Sequence, residues 1–206
     1  MHETEEEQIE AIKQWWEENG KSVVIGLGIA IVGIFSWHGW GSYQETQANK
    51  ASAKYFDMVE KLEDVAYGEK AGAELTEDYA TTPYASLASL QLAKVYVDAG
   101  ENDKAITQFR SVVEHASGEL QHIGRLRLAR LLRDKGELDE ALMLLASVEQ
   151  EAFVGLYADV IGDIYVAKGM PEKAAASYQK AIADGAMQKD WAQMKLDALA
   201  RPAPTQ

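Results

Sequence analysis

Three arginines stand three residues apart, at Arg127, Arg130 and Arg133, and Lys94 stands 36 residues before Arg130. On a helix, a spacing of three stacks side chains along one face. Guanidinium groups in such a row suit carboxylates, which they grip through charge-assisted, two-pronged hydrogen bonds. The chemistry on offer is recognition of an acidic or C-terminal peptide, which makes Lys94, Arg127, Arg130 and Arg133 candidate protein-binding residues. The alternative is a solvated face neutralised by Asp134, Glu137 or Asp139.

Other chemistry finds little support. The chain has no cysteine, which removes disulfides, thiolate nucleophiles and cysteine-based zinc sites together. His2, His38, His115 and His122 are scattered, and no two match a metal-ligand spacing with a third partner. Phosphate-cradling glycine loops and the nucleophile elbow are absent, because Gly26-x-Gly28 lies inside an apolar run. Neither a metal nor a cofactor is expected. Carboxylates are plentiful, so a paired-acid hydrolase stays open as an alternative, but the expectation is a non-enzymatic protein. The 206 residues carry 33 acids against 20 lysines and arginines, a net charge of −13. That balance argues against nucleic acid, whose affinity comes from lysine and arginine displacing counterions. It also argues against docking by charge onto an anionic membrane surface.

The elements that would position these residues begin with an anchor. No formal charge occurs from Ser22 to Gln44, and Val23 to Trp37 is almost wholly apolar. About 20 helical residues cross the hydrocarbon layer, so residues 22–44 read as a single transmembrane helix. Trp15 and Trp16 precede it, and Trp37, Trp40 and Tyr43 close it, as aromatic rings at both membrane interfaces would. Within it Gly26 and Ala30 form a small-xxx-small pair, with Gly33 on a neighbouring face. These three are candidate helix-packing residues, since small side chains let membrane helices approach closely. Lys13 and Lys21 before the span balance Lys50 and Lys54 after it, so charge does not fix orientation. Residues 1–21 read as a short amphipathic segment. Thr4 and Glu7 have the spacing of a capping box, and Asn19-Gly20 is expected to break the helix before the span.

Residues 45–83 read as a linking helix, with a stripe through Ala48, Ala51, Tyr55, Met58, Val59 and Leu62, followed by a loop from Gly68 to Pro83. From residue 84 the chain repeats itself. Leu92-Ala93-x-x-Tyr96 precedes Gly100, Ala105 and Phe109. Leu128-Ala129-x-x-Leu132 precedes Gly136, Ala141 and Leu145. Ile161-Gly162-x-x-Tyr165 precedes Gly169, Ala174 and Tyr178. The small residue on each first helix admits the second, the glycine turns the chain, and the large residue fills the space between. Gln188 to Ala200, with Trp191, Met194, Leu196 and Leu199, reads as a capping helix. The register resembles the tetratricopeptide repeat. The expected fold is all-α: an N-terminal transmembrane helix, then a tetratricopeptide-like solenoid over residues 84–206 with a C-terminal cap.

The order of parts is distinctive. Lys13-x-Trp-Trp-x-x-Asn-Gly-Lys21 leads into a glycine-rich span ending Trp37-x-x-Trp40 and then Tyr43-Gln44. Ile161-Gly162-Asp163-Ile164-Tyr165 with Gly169, and Gln193-Met194-Lys195-Leu196-Asp197, follow downstream. In this combination the chain resembles the YfgM family, ancillary subunits of the SecYEG translocon in Gram-negative bacteria. The resemblance implies an inner-membrane protein with a cytoplasmic N-terminus and a periplasmic repeat domain. It implies the SecYEG translocon and a PpiD-like periplasmic chaperone as partners, and assistance to secretory chains without chemistry. An inner-membrane-tethered adaptor for an envelope signalling or assembly complex would share the same architecture.

Overall fold

The computed structural model describes residues 5–146, 151–184 and 189–200. Thr4, one half of the expected capping box, and Gln188 lie outside them. The described residues form helices α1 (Glu5–Glu60), α2 (Val65–Asp78), α3 (Pro83–Asp98), α4 (Asn102–His115), α5 (Gly118–Lys135), α6 (Leu138–Leu144), α7 (Glu151–Ala167), α8 (Pro171–Asp184) and α9 (Lys189–Leu199). Among them there is no strand, as the composition anticipates.

The chain divides into two units, Met1–Asn49 and Lys50–Gln206. In the first, α1 is continuous where a break was expected at Asn19-Gly20. The Asn19 side chain donates to the Trp15 carbonyl, 3.1 Å away, and so joins its own helix rather than ending it. Gly20 is buried beneath the Trp16 ring, which a Cβ there would meet at 3.1 Å. The glycine serves a side-chain contact, not a turn. Among the described residues, α1 is the helix long and apolar enough to cross a membrane. None of its apolar window is buried.

In the second unit the repeat register accounts for the fold. Gly100, Gly136 and Gly169 all take positive φ, at 76°, 86° and 69°, a region that side chains with a Cβ enter at a cost. The residue after each glycine donates back into the same place on the first helix: Glu101 N–H to the Tyr96 carbonyl, Glu137 N–H to Leu132, and Met170 N–H to Tyr165. This is the six-to-one bond of a Schellman stop. It explains why the apolar position and the glycine keep a fixed distance. Ala105, Ala141 and Ala174 are fully buried, and Phe109, Leu145 and Tyr178 nearly so. The pairs are α3 with α4, α5 with α6, and α7 with α8. Leu145 sits at the C-cap of the short α6 rather than within it.

The expected loop from Gly68 to Pro83 is mostly helix α2. Gly68 and Gly72 are not breakers here. A Cβ at Gly72 would stand 2.6 Å from Leu92 Cδ1, and one at Gly68 would stand 2.9 Å from Leu62 Cδ1. The glycines let α2 lie close to its neighbours. Asp64 starts α2 by accepting from the Tyr67 N–H at 3.2 Å, and Pro83 opens α3 at the first-turn position that tolerates a missing N–H. Residues of α1 beyond Lys50 join the same core, with Ala51 and Met58 fully buried. The packed array therefore starts one helix pair before the first repeat visible in sequence.

Helix α9 closes the other end. Ala192 packs against Ala158 and Ala181, while Trp191 and Met194 are 55% and 51% exposed. Leu196 and Leu199 of the same helix are half-buried.

Candidate functional site

The basic row on α5 separates into unlike members. Lys94 on α3 pairs within its own helix, with Asp98 at 3.6 Å. Arg133 is drawn away from the row. Its Nη2 lies 2.6 Å from Asp134 Oδ1, and its Nη1 lies 3.2 Å from Asp163 Oδ2. Arg127 is exposed and Arg130 half-buried. The structure thus gives Lys94 and Arg133 intramolecular acids and leaves Arg127 and Arg130 one helical turn apart on α5.

Arg133 belongs to a cluster that joins four helices. Lys195 of α9 places its Nζ 2.7 Å from Asp163 Oδ1 and 2.8 Å from Asp159 Oδ1, both on α7. The Tyr178 hydroxyl of α8 donates to Asp163 Oδ1 at 2.8 Å. The Asp159 side chain is only 6% exposed, and the Lys195 ammonium is its ion-pair partner there. Burial, followed by the Asp163 carboxylate, pushes the Tyr178 phenol above its ordinary pKa and keeps it a donor. The sequence reading missed this cluster, although a signal was present. Asp163 occupies the repeat position held by Lys94 and Arg130, each being the residue after the small one. The sign of the charge reverses in the last repeat, where a cap helix brings its own lysine.

Asp159 and Asp163 are also the close carboxylate pair a hydrolase would need. Lys195 bridges both, so each already neutralises a cation. A second tyrosine behaves like Tyr178: Tyr96 donates to Glu69 Oε1 at 2.6 Å, and burial with that contact raises its pKa. A small cavity between α2, α3 and α4, bordered by Thr76, Ser86, Ser89 and His115, has a volume of about 100 Å³. Ligand pockets run from about 300 Å³ upward, so it suits water rather than a substrate. The His115 ring engages the Ser111 carbonyl at 2.9 Å. His122 contacts the Tyr157 hydroxyl at 2.8 Å and stacks on Phe153. His122 is thus tied into the packing, while His115 is exposed and bonds its own helix. Among the described residues, no group of three histidines or acids could hold a metal.

Several carboxylates gain partners on folding. Asp57 is held below its usual pKa by Lys61 and Tyr67, Glu69 by Tyr96, Glu74 by Lys54, and Asp103 by Lys135. For a carboxylate depressed in the folded state, the stabilisation is present above the unfolded pKa of about 4 and is lost as pH falls through the lower folded value. The urea midpoint should therefore hold between pH 7 and about 5 and decline progressively below about pH 4. A midpoint unchanged at pH 3 would contradict these pairings.

Gly26, Ala30 and Gly33 all lie on the exposed stretch of α1. A Cβ at Gly26 or Gly33 would meet nothing within 4 Å, so the backbone is open to approach there.

Comparison with known proteins agrees with this anatomy. A family described as a tetratricopeptide repeat-like domain matches residues 13–201. A protein of Aggregatibacter actinomycetemcomitans named ancillary SecYEG translocon subunit is 34% identical, over 95% of this chain and 97% of its own. A Haemophilus influenzae protein of the same name is 32% identical, over 95% and 97%. A third, from Escherichia coli, is 29% identical over 88% and 89%. The match runs nearly end to end and takes in both the apolar helix and the repeats.

Proposed function

We propose that this chain, which belongs to the YfgM family of ancillary SecYEG translocon subunits within the tetratricopeptide repeat-like proteins, associates with the SecYEG translocon as a non-catalytic adaptor. The observation that carries the reading is the near-complete alignment with relatives of that name. An alignment confined to the repeats would support only a shared fold, and a fold by itself does not specify function. The physical anatomy supports the same reading. Residues 22–44 of α1 cross the inner membrane and tether the repeats beside it, which raises their effective concentration at membrane partners. Gly26, Ala30 and Gly33 present open backbone on which a translocon helix packs. The amino terminus is cytoplasmic and the repeats are periplasmic, where they work with a PpiD-like chaperone on emerging secretory chains. Helical arrays offer an extended surface for such partners, and chains that must be released call for modest affinity.

Co-purification tests the proposal. Membranes solubilised in a mild detergent should yield the translocon subunits with the tagged full-length protein. Exchange of residues 22–44 for an unrelated polyleucine span should diminish that yield while the protein stays in the membrane fraction. Translocon subunits absent from the native pull-down, with other envelope proteins recovered reproducibly, would overturn it.

A further inference from the structure

We infer that Arg127 and Arg130 of α5 form a binding site for an acidic polypeptide segment, one that presents two carboxylates about a helical turn apart. The argument rests on which acids are already taken. Asp134 goes to Arg133, Glu137 to Lys135, Asp139 to Lys168, and Glu140 to Arg110. Asp98, on the preceding first helix, goes to Lys94. The neighbouring carboxylates that could have neutralised the row thus serve other cations. Among the described residues, neither Arg127 nor Arg130 has a carboxylate within ion-pairing distance. This stands out in a chain of net charge −13, where acids outnumber cations and an idle guanidinium is not forced by composition.

Arg130 sharpens the point. It is half-buried between the fully buried Ala129 and the buried Leu131. Partial burial of the Arg130 side chain restricts where its guanidinium can reach. One turn before Arg127, Ile123 is half-buried and supplies an apolar contact beside the charges. The arginine fork reads carboxylates in pairs, and a spacing of three residues sets the two forks about 5 Å apart along the helix axis. An acidic polypeptide with an apolar side chain adjoining its carboxylates matches both features. An anionic membrane surface fits less well, because the strongly acidic chain would be repelled from it.

The inference rests on the repeats acting as a protein-interaction surface, but not on the translocon being the partner. The test accordingly uses purified protein alone. The full-length chain, in a zwitterionic detergent, is titrated against a fluorescein-labelled twelve-residue peptide carrying two Glu-Leu-Glu triplets. A second peptide replaces every glutamate with glutamine. The acidic peptide should bind, and Arg127→Gln with Arg130→Gln together should weaken it at least about tenfold, as loss of charge-assisted hydrogen bonds implies. The glutamine peptide should bind no better than that double variant. Lys180→Gln, at an exposed cation on α8, should leave binding unchanged, and added salt should weaken it. Circular dichroism confirms that the double variant stays folded, and Arg127→Lys with Arg130→Lys should retain part of the affinity through charge alone. Equal binding of the two peptides, indifference to the double variant, or no binding would overturn the inference. So would arginine-dependent capture of phosphatidylglycerol vesicles with no binding of the peptide, which would reassign the pair to a lipid headgroup.

Discussion

Replacing Asp163 with alanine is expected to lower stability by about 3 kcal/mol. The size follows from what one carboxylate does. Asp163 accepts from Lys195, Arg133 and Tyr178, and so holds α5, α7, α8 and the cap helix α9 together. Its removal leaves the Tyr178 hydroxyl without its acceptor in a buried place and leaves Arg133 with Asp134 alone. Breaking one side of a buried ion cluster costs more than the cluster contributes as a whole, because the remaining charges stay desolvated. An exposed pair makes the contrast. Arg110 and Glu140 are joined at 2.7 Å but are 54% and 49% exposed, so Arg110→Ala should cost under about 1 kcal/mol. Denaturant unfolding of both variants, at pH 7 and one salt concentration, measures the difference. Lys195→Met should fall near Asp163→Ala, since it strands Asp159 as well. Equal, small losses for Asp163→Ala and Arg110→Ala would show that the cluster does not hold the cap.

The second large effect is expected at Gly162. An ideal Cβ there would stand 2.4 Å and 2.6 Å from two carbons of the Tyr178 ring, well inside any tolerated contact. The ring is only 2% exposed and is fixed at its far end by the bond to Asp163. It has no room to swing aside. Gly162→Ala should therefore cost about 2–3 kcal/mol, the range for overpacking a filled core, and Gly162→Val more. The second repeat holds a different pair at the equivalent positions, the buried Ala129 and Leu145. Joining Gly162→Ala to Tyr178→Leu should thus cost clearly less than the sum of the two single changes, with a coupling of at least about 1 kcal/mol. Additive losses would mean that the ring and the glycine do not limit each other.

These two sites also show what the sequence could and could not reveal. The small residue, the turn glycine, the buried alanine and the large filler were legible at fixed offsets, because each answers one local demand. A helix that must stop and reverse needs a left-handed residue. Two helices that cross closely need one side without bulk. Gly68 and Gly72 obey the second rule but look in sequence like the first, so the stretch of helix α2 reads there as a loop. The residue type is the same, and only the neighbour across the crossing, Leu92, distinguishes the two uses. Asn19-Gly20 misled for the same reason, its glycine lying under Trp16. The cap helix is legible in sequence, and its inward face is not. A short run with apolar residues on two faces does not say which is covered, and here Ala192 turns in while Trp191 turns out. The ion cluster depends on contacts between residues about 30 apart, which no local pattern encodes. For the basic row, the spacing was visible in sequence. Which of its members already have acids is a property of the packed helices alone.

The claim that matters most is association with the translocon, and photo-crosslinking in intact cells tests it most directly. Probes at Ile29 and Gly33, both exposed on α1, report what lies against the apolar helix in its native membrane. The account predicts reproducible adducts with membrane subunits of the SecYEG translocon from at least one of the two positions. Adducts formed only with unrelated envelope proteins, in cells where the translocon is present at its normal level, would contradict it.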